Sequence, residues 1–511
     1  MKLRYLILLK TLAIGVIPSS HPNTNDQTTL TEFIEKETSI AWQGILNNIG
    51  ADGALVQGAH PGIVVASPSK SNPDYFYTWT RDAGLTIPAI VARLTQPAND
   101  DHALDRILQQ YATSQATQQA ISNPSGSLTD GTGLGEPKFH VNLTEFTSPW
   151  GRPQRDGPPL RASALIAYGN HLLTTGQTTT LAVASNLWPI VRNDLAYVTQ
   201  YWNESTFDLW EEVRGSSFFT TAVQHKALVE GEAFAHALGE DCRGCAHIAP
   251  QILCHLQEYW DGGARAVRTN LPTSGRSGLD ANSILAAVHT FDPEAPCSLE
   301  DRGTFQPCSS RALANHKAFV DSFRALYGVN RGRGVGTAAA VGRYAEDVYQ
   351  GGHPWYLTTL AAGEQLYDAL YQWDRQGVIA VTAVSLPFFR DLVPGIIPGS
   401  YFNSSDEYVT IRDAVRQYAD GFLLVVQEYT PEGGGLAEQF DRDIGRPVSA
   451  VDLTWSFAAF LTATARRRGE VPPSWGALGA GPAPAPCRAT SIPGHYATPV
   501  VGSWRVHDEL R

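Results

Sequence analysis

Long basic runs are missing from this chain. Its 38 Lys and Arg stand against 50 Asp and Glu, a formal net charge of −12, with no long basic run. Nucleic acids and anionic membrane surfaces are held by clustered Lys and Arg, so neither is an expected partner. Charged residues make up only 17% of the chain and aromatic ones 10%, a balance that suits a neutral ligand stacked on aromatic faces. Long apolar runs are scarce too. The stretch from Tyr5 to Ile17 is apolar apart from Lys10, and no other approaches the roughly eighteen residues that crossing a bilayer takes. With Lys2 and Arg4 before it and Pro18-Ser19-Ser20 after it, segment 1–20 resembles a secretory signal with a flawed centre, and a soluble, secreted protein is expected after processing. Alternating strand patterns are few, and no short-period repeat is present.

The cysteines lack the pattern of a metal site. Cys242 and Cys245 form a C-x-x-C pair, but zinc would need a second such pair, which Cys254, Cys297, Cys308 and Cys487 do not make. Redox chemistry would need a strand-to-helix setting for the pair. Structural disulfides are the preferred reading, and six cysteines allow fifteen pairings. Three Asn-X-Ser/Thr acceptors, at Asn142, Asn203 and Asn403, agree with an oxidising, glycosylating compartment. His507-Asp508-Glu509-Leu510 imitates a retention signal, but Arg511 follows it and such signals are read at the terminus.

What is present is helical period. Val415, Tyr418, Ala419, Phe422 and Val426 recur at helical spacing, as do Leu104, Ile107, Leu108 and Tyr111. A further helix is expected from Asp452, as N-cap, to the run Arg466-Arg467-Arg468 before Gly469. Similar patterns lie near 40–48, 160–173, 188–202, 220–238, 250–260, 313–327 and 355–373. The fold class is therefore all-α. With 511 residues the chain suits one large domain or two ordinary ones. Long connections rich in Gly, Pro, Asp and rings separate the helices at 68–82, 122–160, 203–219, 262–312 and 431–450, and connections of that length usually carry function. Helices joined this way point to a closed toroid rather than an open solenoid. From about 471 the sequence turns to Pro, Ala and Gly and reads as an extended tail.

The most informative segment is Phe207-Asp208-Leu209-Trp210-Glu211-Glu212. A carboxylic acid donates a proton near neutrality only where its surroundings raise its pKa, and apolar rings and neighbouring carboxylates both do so; Trp210 and Asp208 are expected to act this way on Glu211. The plain alternative is an acidic helix end. Other loops share the style. Tyr75, Trp79, Arg81 and Asp82 lie in PDYFYTWTRD, where Arg81 and Asp82 suit charge-assisted bonds to sugar hydroxyls. Trp150 stands in WGRPQRDGP, Arg343 in GRYAED, Trp355 follows Pro354, and Glu438 sits in AEQFD.

Together with GLGEPKF, DLWEEV, GSSFF, HTFDPEA, SRALANHK and DLTWS, these motifs resemble the fungal glucoamylases, glycoside hydrolase family 15, from roughly Ile45 to Trp504. The resemblance implies an (α/α)6 barrel of six inner and six outer helices over 21–470, a tail at 471–511 strapped to it, and a site at one mouth. It implies exo-hydrolysis of starch and maltooligosaccharides from non-reducing ends, α-1,4 bonds faster than α-1,6, releasing β-D-glucose with inversion. Glu211 matches the general acid and Glu438 the general base; in inverting glycosidases such a pair stands roughly 6.5–9.5 Å apart. Asp208, a second candidate for the base, and Glu212 match supporting acids. Arg81 and Asp82 match the clamp on the chain end, Tyr75 and Trp79 the pocket wall, and Trp150, Leu209, Trp210, Arg343 and Trp355 further substrate contacts. No metal or organic cofactor and no partner beyond the glucan is implied, and a monomer suffices. The implied disulfides are Cys242–Cys245, Cys254–Cys487 and Cys297–Cys308.

Some positions depart from the family's pattern. Pro149 replaces a small polar residue before Trp150, and Gln350-Gly351-Gly352-His353 replaces a stretch richer in Tyr and Asn, so contacts to the second or third sugar are expected to differ. Gly433-Gly434-Gly435 before Glu438 is expected to loosen the base. The sequence ends without a Ser/Thr-rich linker or starch-binding module, so raw granular starch is an expected poor substrate. The rival readings are an endo-acting toroid glycosidase, which the Arg81-Asp82 clamp opposes, and a sugar-binding protein without catalysis, which the retained Glu211 and Glu438 oppose.

Overall fold

In the computed structural model the described residues are 24–96, 102–297, 303–480, 483–502 and 504. Segment 1–20, Gly481-Pro482 in the tail and the stretch 507–510 lie outside them. Fourteen α-helices occur among the described residues: α1 (Thr24–Asn47), α2 (Thr80–Leu94), α3 (His102–Ala120), α4 (Gly157–Thr175), α5 (Thr180–Asn186), α6 (Trp188–Tyr201), α7 (Phe218–Leu238), α8 (Cys245–Leu256), α9 (Asn282–His289), α10 (Ser310–Asp321), α11 (Tyr356–Gln376), α12 (Leu386–Leu392), α13 (Asp406–Tyr429) and α14 (Thr454–Arg467). Strands are short, two to four residues each, and pair in small ribbons within the connections.

The packing closes a ring. α2 packs on α4, α4 on α7, α7 on α9, α9 on α11, α11 on α14, and α14 back on α2. Outside it, α3 lies on α2, α6 on α4 and α7, α8 on α7, α10 on α9, α13 on α11, and α1 on α14. Apart from the short α5, packed on α6, and α12, packed on α10 and α13, inner and outer helices alternate along the chain, which is the (α/α)6 barrel expected.

The two rings differ in burial for a physical reason. An outer helix faces water on one side and buries one face; an inner helix is covered all round. In α13 the buried positions include Val415, Tyr418, Ala419, Phe422 and Val426, spaced for one face. In α2 every residue from Thr80 to Ile87 is buried. Close helix contact is allowed there by Gly84, where a Cβ would come within 2.9 Å of Leu160 in α4. Ends are set locally. Thr179, Ser309 and Ser405 accept from backbone N–H groups three residues on, capping α5, α10 and α13, and Gly176, Gly239 and Gly377 end α4, α7 and α11 in the left-handed conformation.

Several sequence expectations are corrected here. Arg81 and Asp82 belong to the first turn of α2, not to a loop. The 262–312 connection contains α9 and the start of α10. Asp452 is not an N-cap: α14 starts at Thr454 after Leu453, and Asp452 sits at φ 45° with its carbonyl accepting from Asn48. Of the three glycines before Glu438, Gly434 is packed while Gly433 is exposed. Gly434 (φ 74°) approaches α1 so closely that a Cβ would meet Ile40 at 2.3 Å, and Gly434 N–H bonds the Pro431 carbonyl at 2.8 Å.

The three disulfides are Cys242–Cys245, Cys254–Cys487 and Cys297–Cys308. Beyond Cys487 the tail runs along α6: Trp202 donates to the Thr490 carbonyl at 2.8 Å, Ile492 N–H to Thr199 at 3.0 Å, and Asn193 to Ala497 at 2.8 Å. Because Cys254–Cys487 closes a loop across 233 positions, replacing both cysteines by serine is expected to reduce unfolding stability by about 2–5 kcal/mol, read as a lower midpoint in denaturant.

Candidate active site

The connections preceding the inner helices gather acids and rings at one mouth. Trp79 precedes α2, Asp156 precedes α4, Asp280 lies just before α9, Trp355 precedes α11, and 449–453 lead into α14. Helix N-termini carry partial positive charge, which favours the carboxylates collected there.

Glu211 sits in the tight connection between β3 (Thr206–Phe207) and β4 (Arg214–Ser217), so the acidic-helix-end alternative is ruled out. Its N–H bonds the Asp208 carbonyl at 2.8 Å and its φ is 66°, a conformation that costs a non-glycine residue about 1–3 kcal/mol. One oxygen, Oε1, accepts from Trp79 Nε1 at 2.8 Å, Gln154 Nε2 at 3.0 Å and Arg81 Nη2 at 3.2 Å. Arg81 also bonds Gln154 at 2.7 Å and Asp156 at 3.2 Å, with Asp82 3.7 Å from its Nε. Burial, then the neighbouring carboxylates, push Asp82 up to about 6 against the opposing pull of Arg81. Glu211, Asp82 and Asp156 thus share one guanidinium.

The expected partners of Glu211 within its own segment face elsewhere. Trp210 donates to Asp280 at 2.7 Å. Asp208 is fully buried and closes the turn, accepting from the N–H groups of Glu212 and Val213 at 2.9 and 3.0 Å and from Asn270 at 3.1 Å. Leu209 is buried in the core. Glu212 accepts from Arg343 at 2.9 Å, Arg276 at 2.7 Å and the Tyr344 hydroxyl. Arg343 in turn grips Asp347 through two bonds of 2.7 and 2.6 Å, and its guanidinium lies over Trp210, Tyr349 and Trp355 at 5.4, 5.0 and 5.5 Å. Trp355 and Trp210 pack with ring centroids 5.5 Å apart.

Glu438 has a different setting. It is fully buried, and burial pushes its carboxyl up to about 7. Oε2 accepts from the Ser449 hydroxyl and from Gln439 at 2.9 Å. Oε1 has no hydrogen-bond partner among the described residues. The Tyr75 hydroxyl stands against the same carboxylate and shares a 2.7 Å bond with Tyr349. Tyr75 also packs edge-on against Trp79 at 5.5 Å, so Tyr75 and Trp79 form a wall from the Glu438 side to the Glu211 side.

Trp150 is exposed, and beneath it lies a buried cation. Lys138 Nζ is 3.7 Å from the Trp150 ring centre, 4.0 Å from Tyr77, 4.3 Å from Phe146 and 4.6 Å from Trp79. Burial brings its ammonium down to about 8. Cation–π attraction draws the faces of four rings toward this one ammonium.

The family model for glycosyl hydrolases family 15 matches residues 39–465. The chain belongs to that family. It is 57% identical to a glucoamylase of Neurospora crassa over 92% of this chain and 74% of the relative, and 51% identical to glucoamylase P of Amorphotheca resinae over 96% and 78%. Among solved structures it resembles the family 15 glucoamylase of Hypocrea jecorina, with TM-score 0.90 and 53% identity over 93% of this chain and 79% of that one. As a family 15 member it is a glycoside hydrolase.

Some residues gathered at this mouth escaped the sequence reading. Gln154, Asp156 and Lys138 stood within recognised motifs without a role, and Tyr344 and Asp347 stood beside Arg343. Ser449, Arg276 and Asp280 carry no local signal, since only folding brings them to acids far away in sequence. The metal-type side chains that meet among the described residues, Glu232, Cys242 and Cys245, include both sulfurs of a disulfide, so the C-x-x-C pair offers no thiolate there.

Proposed function

We propose that the chain removes glucose units from the non-reducing ends of starch and maltooligosaccharides, α-1,4 bonds faster than α-1,6, and releases β-D-glucose with inversion. Glu211 donates a proton to the glycosidic oxygen and Glu438 takes one from the attacking water. The observation that carries this reading is the contrast between the two carboxylates. Glu211 is held through Oε1 by three donors, Trp79, Gln154 and Arg81, beside the two other carboxylates, Asp82 and Asp156, that face the same guanidinium. Glu438 has no hydrogen bond at Oε1 among the described residues while Ser449 and Gln439 hold Oε2, with the Tyr75 hydroxyl beside the carboxylate, which suits a base that accepts a proton from water. Asp208, with both oxygens occupied, serves as the anchor of the Glu211 turn rather than as a base.

Arg81 and Asp82 flank the innermost end of the pocket, with Tyr75 and Trp79 as its wall. Glu212 and Arg343 neutralise each other and present donors and acceptors to hydroxyls, while Trp150 offers an exposed ring, 37% accessible, to the next sugar. Leu209, Trp210 and Trp355 back these groups. We read the chain as a secreted monomer; the three disulfides suit an oxidising compartment and Asn142, Asn203 and Asn403 are all exposed, while every side chain given a role above comes from one copy of the chain.

A second reading exchanges the two roles, favoured by the upward push on Glu438. The reaction's stereochemistry is tested first. Proton NMR of maltoheptaose hydrolysis is expected to show β-glucose before mutarotation; α-glucose appearing first would overturn inversion, and mixed oligosaccharides would overturn exo action. A second test concerns Glu438. The Ser449 hydroxyl favours its ionised form, so Ser449→Ala is expected to raise that carboxyl further. The base must be ionised to work, and the acid limb of kcat/KM then moves to higher pH while the alkaline limb stays.

A further inference from the structure

Outside the mouth lies a cleft of about 620 Å³ that none of this chemistry uses. Its rings are Phe76, Tyr77 and His140, with Lys70 and Asp74 among the polar groups beside them. Tyr77 and His140 are partners across the strand pair β1 (Tyr77–Trp79) and β2 (Lys138–His140), with ring centroids 5.3 Å apart. Lys70 Nζ lies 4.1 Å from the Phe76 ring centre, and Asp74 accepts from Phe76 N–H at 3.1 Å. Half-buried rings edged by charged and amide groups are the surface a pyranose recognises, apolar face on the ring and hydroxyls on the rim.

Asn142 also lines this cleft. It is exposed, and its Oδ1 accepts from Thr144 Oγ1 at 2.8 Å and from Thr144 N–H at 3.3 Å, so the two ends of the acceptor triplet already face each other. Its Nδ2, the atom to which a sugar is joined, makes no hydrogen bond in the described structure, whereas the Nδ2 of Asn203 donates to the Ala489 carbonyl at 3.0 Å.

We propose that the cleft is the seat of an N-linked glycan carried by Asn142, whose first sugars lie on Phe76 and Tyr77. Tethering decides between this occupant and a free glucan chain. A sugar joined to the cleft wall has an effective concentration on the order of millimolar or more, enough for weak stacking to hold it and for free oligosaccharide to be displaced. The seated glycan braces segment 68–76 against β2, and that segment delivers Tyr75 to the mouth. It therefore stabilises the fold from outside the site.

The test uses protein secreted from a glycosylating host, as wild type, Asn142→Gln, Phe76→Ala and the double variant. Peptide mass spectrometry should find Asn142 modified. Loss of the glycan should lower the thermal midpoint by about 1–2 °C, with kcat on maltose unchanged. Phe76→Ala should lower the midpoint more in glycosylated protein than in the Asn142→Gln background, since only the former loses sugar stacking as well as packing. An unmodified Asn142, or equal effects of Phe76→Ala in both backgrounds, overturns the proposal. So does protection of amides 140–144 from hydrogen exchange by maltoheptaose in the glycosylated protein, which would show the cleft open to free glucan.

Discussion

Glu211→Gln should bind maltose with KM close to wild type while kcat on it falls by about 10²–10⁴-fold, the usual worth of a positioned general acid. The amide keeps the shape and can still accept from Trp79 and Arg81 at Oε1, the contacts that hold the carboxylate now at 2.8 and 3.2 Å. What it lacks is a proton to give. α-Glucosyl fluoride separates this loss from general disruption, because fluoride leaves without being protonated. The variant should retain most of its activity on the fluoride, and a parallel loss on both substrates would sink the assignment of Glu211 as acid.

Glu438→Gln should behave in the opposite way, losing about 10²–10⁴-fold in kcat on maltose and on the fluoride alike, since both need an activated water. The substitution leaves acceptor and donor roles around Ser449 and Gln439 to be rearranged in a fully buried place, so some loss of stability is expected as well. Thermal midpoint and kcat measured together tell the two apart. If Glu438→Gln spares the fluoride while Glu211→Gln does not, the roles are exchanged, and the raised carboxyl of Glu438 is the proton donor.

The two experiments bear on a site whose members were unevenly legible beforehand. Residues inside dense motifs, such as Trp79, Arg81, Glu211 and Arg343, announce themselves because acids, cations and rings are unusual together in loops. The polar groups that hold them are ordinary residues in ordinary surroundings. Ser449 is such a case: it reaches Glu438 across a turn that closes only when Gln439–Phe440 pairs with Pro447–Val448. Trp210 is the reverse case. Adjacent to Glu211 in sequence, it turns to Asp280 instead, since neighbours in a tight turn point to different sides.

The same division runs through the fold. Helical period in α13 and α3, the Gly and Ser signals at helix ends and the even cysteine count are local or compositional, and the sequence by itself determined the all-α class and, by its motifs, the family. Helices α2 and α9 were not seen beforehand, because α2 opens inside an aromatic, charged segment and carries Pro88, and α9 is only eight residues long within a connection rich in Gly and Pro. Ring closure, the meeting of Glu211 with Arg81 and Gln154, and the opposite settings of the two carboxylates were decided only by tertiary structure. Burial and the direction of a hydrogen bond belong to the packed molecule, where residues more than a hundred positions apart set each other's charge.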